Sequence, residues 1–117
     1  MATTRYHNIT GGTSAAAQIT QELLEAGANY RVSRISLANV EGTNTVSVDL
    51  WIEKQYPTTT GGEAGLYGKF YFFKGVSMPA NTSLLYDLSF DNSVDEFGLY
   101  IKLTAATGTP AVDVILY

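Results

Sequence analysis

The run Thr45–Lys54, TVSVDLWIEK, constrains this chain more than any other segment. Val46, Val48, Leu50 and Ile52 alternate with Thr45, Ser47, Asp49, Trp51 and Glu53. Successive side chains of an extended chain point to opposite faces, so a period of two gathers the four aliphatic residues on one side. A helix would scatter them around its circumference. The segment is therefore a strand with one apolar and one polar face, and its apolar face must be covered by a second layer. Trp51 falls on the polar side, between Asp49 and Glu53.

Similar reasoning reads most of the chain as β. In Tyr30–Asn39, Tyr30 and Val32 share one phase and Ile35 and Leu37 the other, so the Ser33–Arg34 step is expected to be a bulge that resets the alternation. Glu41–Asn44, EGTN, is the turn before Thr45. After the loop Thr58–Gly65, the segment Leu66–Lys74 is an aromatic strand carrying Tyr67, Phe70, Tyr71, Phe72 and Phe73 on both faces. Met78–Thr82 is a tight connection, Ser83–Phe90 a strand and Asp91–Glu96 an acidic turn. Phe97–Thr104 alternates again, with Phe97, Leu99, Ile101 and Leu103 inward, and Val112–Tyr117 is the last strand.

Ser14–Ala26 is ambiguous. Ser14 is a fitting helix cap and Gly27 a fitting stop, and local propensity favours helix. As a strand, Gln18–Leu24 places Ile19 and Leu23 on one face and Thr20, Glu22 and Leu24 on the other. The β character of every later element favours the strand. The sum is seven to eight strands with turns at intervals of about 8–12 residues, the spacing of an antiparallel β-sandwich of jelly-roll or immunoglobulin-like type. The 117 residues form one domain, 1–117, in which 1–13 is polar and Gly-rich and is expected to be an extended N-terminal arm.

Composition narrows the function. Only 15% of residues are charged, against about 25% in an average globular domain, so Thr, Ser, Asn, Gly and Tyr cover much of the exterior. Such an exterior suits contact with other protein. The net charge is −4 and the basic residues are dispersed, which argues against nucleic-acid binding. The absence of cysteine excludes disulfides and thiolate metal sites. No apolar run reaches the roughly 20 residues of a spanning helix, and no secretory leader opens the sequence, so synthesis in the cytoplasm and no membrane association are expected.

Catalytic and ligand motifs are weak. His7, the one histidine, has no nucleophile motif beside it, and we expect a structural or surface role for it. Asp91, Ser93 and Asp95 have the opening spacing of a calcium loop, but Glu96 stands where the turn needs Gly and Lys102 where the last ligand should be, so a solvated turn is expected. Asn8-Ile9-Thr10 and Asn81-Thr82-Ser83 match the glycosylation pattern by chance. Gly11-Gly12 and Gly61-Gly62 lack the strand-before, helix-after setting of a phosphate loop. We therefore expect no enzyme, no cofactor and no metal. The residues left as a candidate protein interface are Tyr6, Arg31, Arg34, Trp51, Tyr56, Tyr67 and Tyr71, since outward Trp and Tyr serve as anchors. The same rings are alternatively a sugar-stacking platform or cross-strand filler. Arg31 and Arg34 either meet acidic patches of a partner or act as solvated edge charges.

From Gln18 onward the order of features resembles a known group. The stretch ITQELLEAGANYRVSRISLANVEGTNTVSVDLWI, the later VSMPANTSLLYDL and the closing GLYIKLTAATGTPAVDVILY are similar to those of small β-sandwich virion proteins of tailed bacteriophages. These are capsid decoration (cement) proteins and related neck or tail accessory proteins. The shared pieces are an Asn after the second strand, a Met-Pro-Ala-Asn-Thr turn and a VDVIL last strand. The resemblance implies a homo-oligomer, dimeric or trimeric, that sits on the capsid surface of the virion and braces the major capsid protein. It carries no catalytic residues. A neck, tail or fibre component, or a carbohydrate-binding module, is the alternative expectation.

Overall fold

A computed structural model describes residues 5–11, 17–26, 30–54, 68–91 and 97–117. Among them are eight strands and no helix: β1 (Arg5–Thr10), β2 (Ala17–Leu24), β3 (Arg31–Asn39), β4 (Val46–Lys54), β5 (Gly68–Met78), β6 (Ser83–Asp91), β7 (Gly98–Ala105) and β8 (Ala111–Leu116). They form two four-stranded antiparallel sheets, β1-β8-β3-β6 (sheet A) and β2-β7-β4-β5 (sheet B). The pairs β1–β8, β2–β7, β3–β6 and β4–β5 describe one long ribbon folded back on itself after β4 and then rolled up. Pairing of β3 with β8 and of β4 with β7 joins the turns of the roll. Only β4 and β5 follow each other within one sheet. That is a jelly roll rather than an immunoglobulin-like sandwich, in which successive strands mostly hairpin within a sheet.

The inner faces supply the core. Val46, Val48, Leu50, Leu99, Ile101 and Leu103 of sheet B meet Ile9, Val32, Ile35, Leu37, Val112, Val114 and Leu116 of sheet A, all fully buried. Each such side chain contributes about 1.5–3 kcal/mol on removal from water. At one seam between the sheets Phe73 packs edge-on against Tyr86, with ring centroids 5.1 Å apart.

Several expectations are met in detail and several change. The β3–β6 register shifts between Val32 and Arg34, and Ser33 and Arg34 are both exposed, so the alternation resets at the expected step. Residues 17–24 of the ambiguous segment are a strand, and its β2–β7 register shifts between Glu22 and Leu24. That shift turns Leu24 into the core beside Leu23, against its expected place on the polar face. Residues 5–10 of the expected arm are strand β1, hydrogen-bonded along β8, because Ile9 completes the core opposite Val112. His7 points inward from β1. Burial, then the Arg5 charge, lower its pKa against a hydrogen bond with the Leu23 backbone.

One polar residue organises an end of the roll. Asn39, buried at the end of β3, donates from Nδ2 to the carbonyls of Asn44 (3.1 Å), Met78 (3.0 Å) and Pro79 (3.2 Å), and accepts at Oδ1 from Glu41 N–H (3.1 Å). Its backbone donates to Thr82 O and accepts from Asn81 N–H, where Asn81 takes the left-handed conformation (φ 60°). A single amide thus ties the 40–45 turn to the 79–82 turn. In the first turn the Glu41 carboxylate accepts from the backbone N–H groups of Thr43 and Asn44, as an Asx-like turn does.

Candidate protein interface

The expected interface residues fall on two opposite faces. On the outer face of sheet B, one transverse row crosses all four strands: Tyr71 of β5, Trp51 of β4, Tyr100 of β7 and Glu22 of β2. The Trp51 and Tyr100 rings stack (5.8 Å, 12°) and Tyr71 tilts against Trp51 from the other side (5.6 Å, 44°). Lys69 Nζ lies 4.8 Å above the Trp51 ring, Lys74 Nζ lies 5.1 Å from the Tyr71 ring, and Trp51 Nε1 donates to Glu53 Oε1 at 3.0 Å. Gly98 makes room for this. A Cβ there would stand 2.9 Å from Tyr100 Cε1 and push the ring off Trp51.

Trp51 is therefore outward in register but only 2% exposed. It fills a second, small apolar layer outside the sheet. No ring face of Trp51 is left to stack on a sugar or to anchor a partner, and of the three rings in this row Tyr71 alone keeps substantial exposure. The β4–β5 ladder explains the placement. Leu50 faces Phe73 while Trp51 faces Tyr71, so Phe72 is an extra residue, and a second irregularity puts Lys74 and Gly75 (φ 71°) opposite Asp49. Gly75 N–H donates to Asp49 Oδ1 at 2.7 Å. These bulges give β5 aromatics on both faces, as expected, and aim Tyr71 outward.

Tyr100 donates to Glu22 Oε2 at 2.9 Å. Burial, then the hydrogen bond and charge of Glu22 with Glu53 behind it, push the Tyr100 phenol up to about 12. The neutral phenol is the form the fold favours. Its contribution to stability is therefore complete below the ordinary tyrosine value of 10.0 and is lost as pH rises through about 12. A spectrophotometric phenol titration is expected to show a late component near that pH. Tyr100→Phe removes it. A late component unchanged in the variant would refute the assignment.

Sheet A presents a different outer face. Its central row is Tyr6, Ile115, Ser36 and Leu85, across β1, β8, β3 and β6. Tyr6 is 75% and Leu85 58% exposed, and Tyr117 beside Arg34 is also exposed. The next row is Asn8, Asp113, Ala38 and Ser83. Four of the charges here are matched in pairs within the face. Arg31 pairs with Asp91 (3.2 Å), Arg34 with Asp87 (2.8 Å), and Asn8 Nδ2 donates to Asp113 Oδ1 (2.5 Å). The two exposed ion pairs contribute on the order of 0–1 kcal/mol each, and the Asp113 carboxylate keeps its charge against the neutral Asn8 amide.

Of the expected residues, Tyr6, Arg31 and Arg34 share sheet A's outer face, Trp51 and Tyr71 share that of sheet B, and Tyr56 and Tyr67 lie outside the described residues. The arginines hold β6 to β3. Leu85, Ile115 and Tyr117 complete the sheet A face and Tyr100 the sheet B row, and none of these was among the expected residues. The signal for Leu85 is its phase, shared with Asp87 and Ser89 and opposite to Leu84, Tyr86 and Leu88. Of the suspected calcium loop, residues 92–96 lie outside the described residues, and the Asp91 carboxylate is engaged by Arg31. Among the described residues no three acidic or histidine side chains gather as a metal site, and no helix is long and apolar enough to cross a membrane.

Comparison with known proteins adds to the fold alone. The sequence matches no protein family and no curated protein. Among solved structures, PirA superposes with a TM-score of 0.52 at 14% identity, over 96% of this chain and 92% of PirA. A chain of the infectious bursal disease virus Gx strain structure is matched with a TM-score of 0.36 at 7% identity, over 97% of this chain and 32% of that one.

Proposed function

We propose that this chain is a structural virion protein of a tailed bacteriophage, a decoration protein that seats the outer face of sheet A on the major capsid lattice and catalyses nothing. One observation carries the reading. The face combines Tyr6 and Leu85, both largely exposed, with two arginine–aspartate pairs whose charges match, Arg31–Asp91 and Arg34–Asp87. Covering the row of Tyr6 and Leu85 leaves those two ion pairs intact, and protein interfaces deplete charge at their centres and enrich Tyr there. The resemblance to tailed-phage decoration proteins supplies the partner and the location, the capsid surface. A neck or tail position would use the same face.

The test is co-sedimentation with capsids that lack a decoration protein and are built from the major capsid protein of the same genome. Saturable binding that raises the temperature at which the capsids open is the expected result. No binding to capsids or to tails, with turnover of a substrate instead, would overturn the reading.

A further inference from the structure

We infer that the edge of β6 is the site of self-association, where a second copy of this chain adds its own β6 in antiparallel register centred on Leu85. This deepens the assembly reading above by naming one partner and its register.

Among the described residues the sandwich has four edge strands, β1 and β6 in sheet A and β2 and β5 in sheet B. An edge strand offers unpaired backbone groups, and short length, bulges and lysines blunt it. β5 is broken by two irregularities and carries Lys69 and Lys74. β2 is broken between Glu22 and Leu24, and β1 has six residues. β6 has nine, and although its register with β3 shifts between Asp87 and Phe90, Ser83–Asp87 pair with β3 without interruption, Leu84 and Tyr86 turning inward and Ser83, Leu85 and Asp87 outward. Its acids are neutralised from the β3 side, Asp87 by Arg34 and Asp91 by Arg31.

The direction of the backbone follows from β3. Asn39 N–H donates toward β6, to Thr82 O, and Val40 N–H toward β8, to Ala111 O. Alternation along the ladder then turns the main-chain groups of Leu84 and Tyr86 toward β3 and those of Ser83, Leu85 and Asp87 toward the open edge. A two-fold axis through Leu85 sets Leu85 against Leu85 of the second copy, Ser83 against Asp87, and Leu84 against Tyr86. Apolar groups then meet apolar groups, and no like charges stand opposite each other. Centring on Asp87 instead would set two carboxylates face to face. The Leu85 register joins the two rows Tyr6–Ile115–Ser36–Leu85 into one across eight strands, and it covers the half-buried Leu84 and Tyr86.

The chain has no cysteine, so a single introduced one reports the register. Directly opposed, hydrogen-bonded residues have Cα atoms about 5.5 Å apart, within reach of a disulfide. Under mild oxidation at tens of micromolar (roughly), Leu85→Cys is expected to give mostly covalent dimer. Asp87→Cys, displaced by about 13 Å from its equivalent in this register, should give almost none. Leu85→Lys should elute as monomer by light scattering while keeping a β-rich spectrum. A monomeric wild type, or crosslinking of Leu85→Cys no greater than that of Asp87→Cys, would overturn the inference. A monomer that still binds capsids removes this inference alone. A crosslinked dimer that ignores capsids removes only the capsid reading.

Discussion

Asn39→Asp is expected to destabilise the domain by about 3–5 kcal/mol, although it exchanges only an amide NH2 for an oxygen. The Asn39 Nδ2 donates to three backbone carbonyls in a site that water does not reach. A carboxylate there turns a negatively charged oxygen on three acceptors, and the one backbone donor that reaches this side chain, Glu41 N–H, serves the other oxygen. For a domain of this size the loss corresponds to a fall in melting temperature of roughly 10–25 °C. The sign of the pH dependence is specific. The introduced carboxyl is buried among acceptors, so its folded pKa is raised and the neutral acid is favoured. The deficit relative to wild type is then smallest in acid and grows as pH rises above the ordinary carboxylate range. Thermal unfolding followed by circular dichroism at several pH values checks both points. A variant within 1 kcal/mol (about) of wild type at neutral pH would show that the two turns are held together by something other than this amide.

The second large effect is at Trp51. Trp51→Ala is expected to cost about 3–5 kcal/mol, the range for emptying a buried aromatic site. The surroundings collapse poorly, because Tyr71 and Tyr100 are fixed by their own strands and Lys69 loses the ring under its ammonium. Trp51→Phe keeps a ring between the two tyrosines and should retain most of the stability, losing the Glu53 hydrogen bond. Were Trp51 an interface or sugar-binding anchor, the outcome would invert: alanine would leave stability nearly unchanged and abolish binding. Chemical denaturation of both variants separates the two cases.

The comparison of Trp51 with Leu85 shows where sequence reading reaches and where it stops. Alternation alone places Trp51 outward, and that is its register. It cannot reveal that β7 and β5 bring Tyr100 and Tyr71 alongside, because those neighbours are far off in the chain and the alignment of Tyr71 depends on two bulges in β5. Outward position alone does not separate an exposed anchor from cross-strand filler, and Trp51 packs across the strands against Tyr71 and Tyr100. Leu85 is the converse: an aliphatic residue in a polar phase, legible from Ser83–Phe90 and overshadowed by the aromatics. The sandwich, its core residues and the irregular step at Ser33–Arg34 were readable because a period of two reports burial directly. The jelly-roll order was not, since it is set by which distant strands pair. Leu24 was misplaced because a register shift within β2 leaves no trace in local alternation. Strand β1 was read as an arm because its one core residue, Ile9, is too little pattern to declare a strand. Two pieces of the phage resemblance, Asn39 and the Met78–Thr82 turn, meet in space. Their joint presence has a physical reason, since the amide of one ties down the carbonyls of the other.

The two outer faces differ: on sheet B Trp51 is covered by Tyr71 and Tyr100, and on sheet A Tyr6 and Leu85 stand exposed, where the proposed capsid contact is placed. Charge placed on each face in turn tests this in a single co-sedimentation series with capsids. Tyr6→Glu on sheet A is expected to lower capsid affinity by at least tenfold (about 1.4 kcal/mol). Gln18→Glu, exposed on the outer face of sheet B, should bind as wild type does. Equal affinity for Tyr6→Glu and wild type, with binding lost instead in Gln18→Glu, would contradict the assignment.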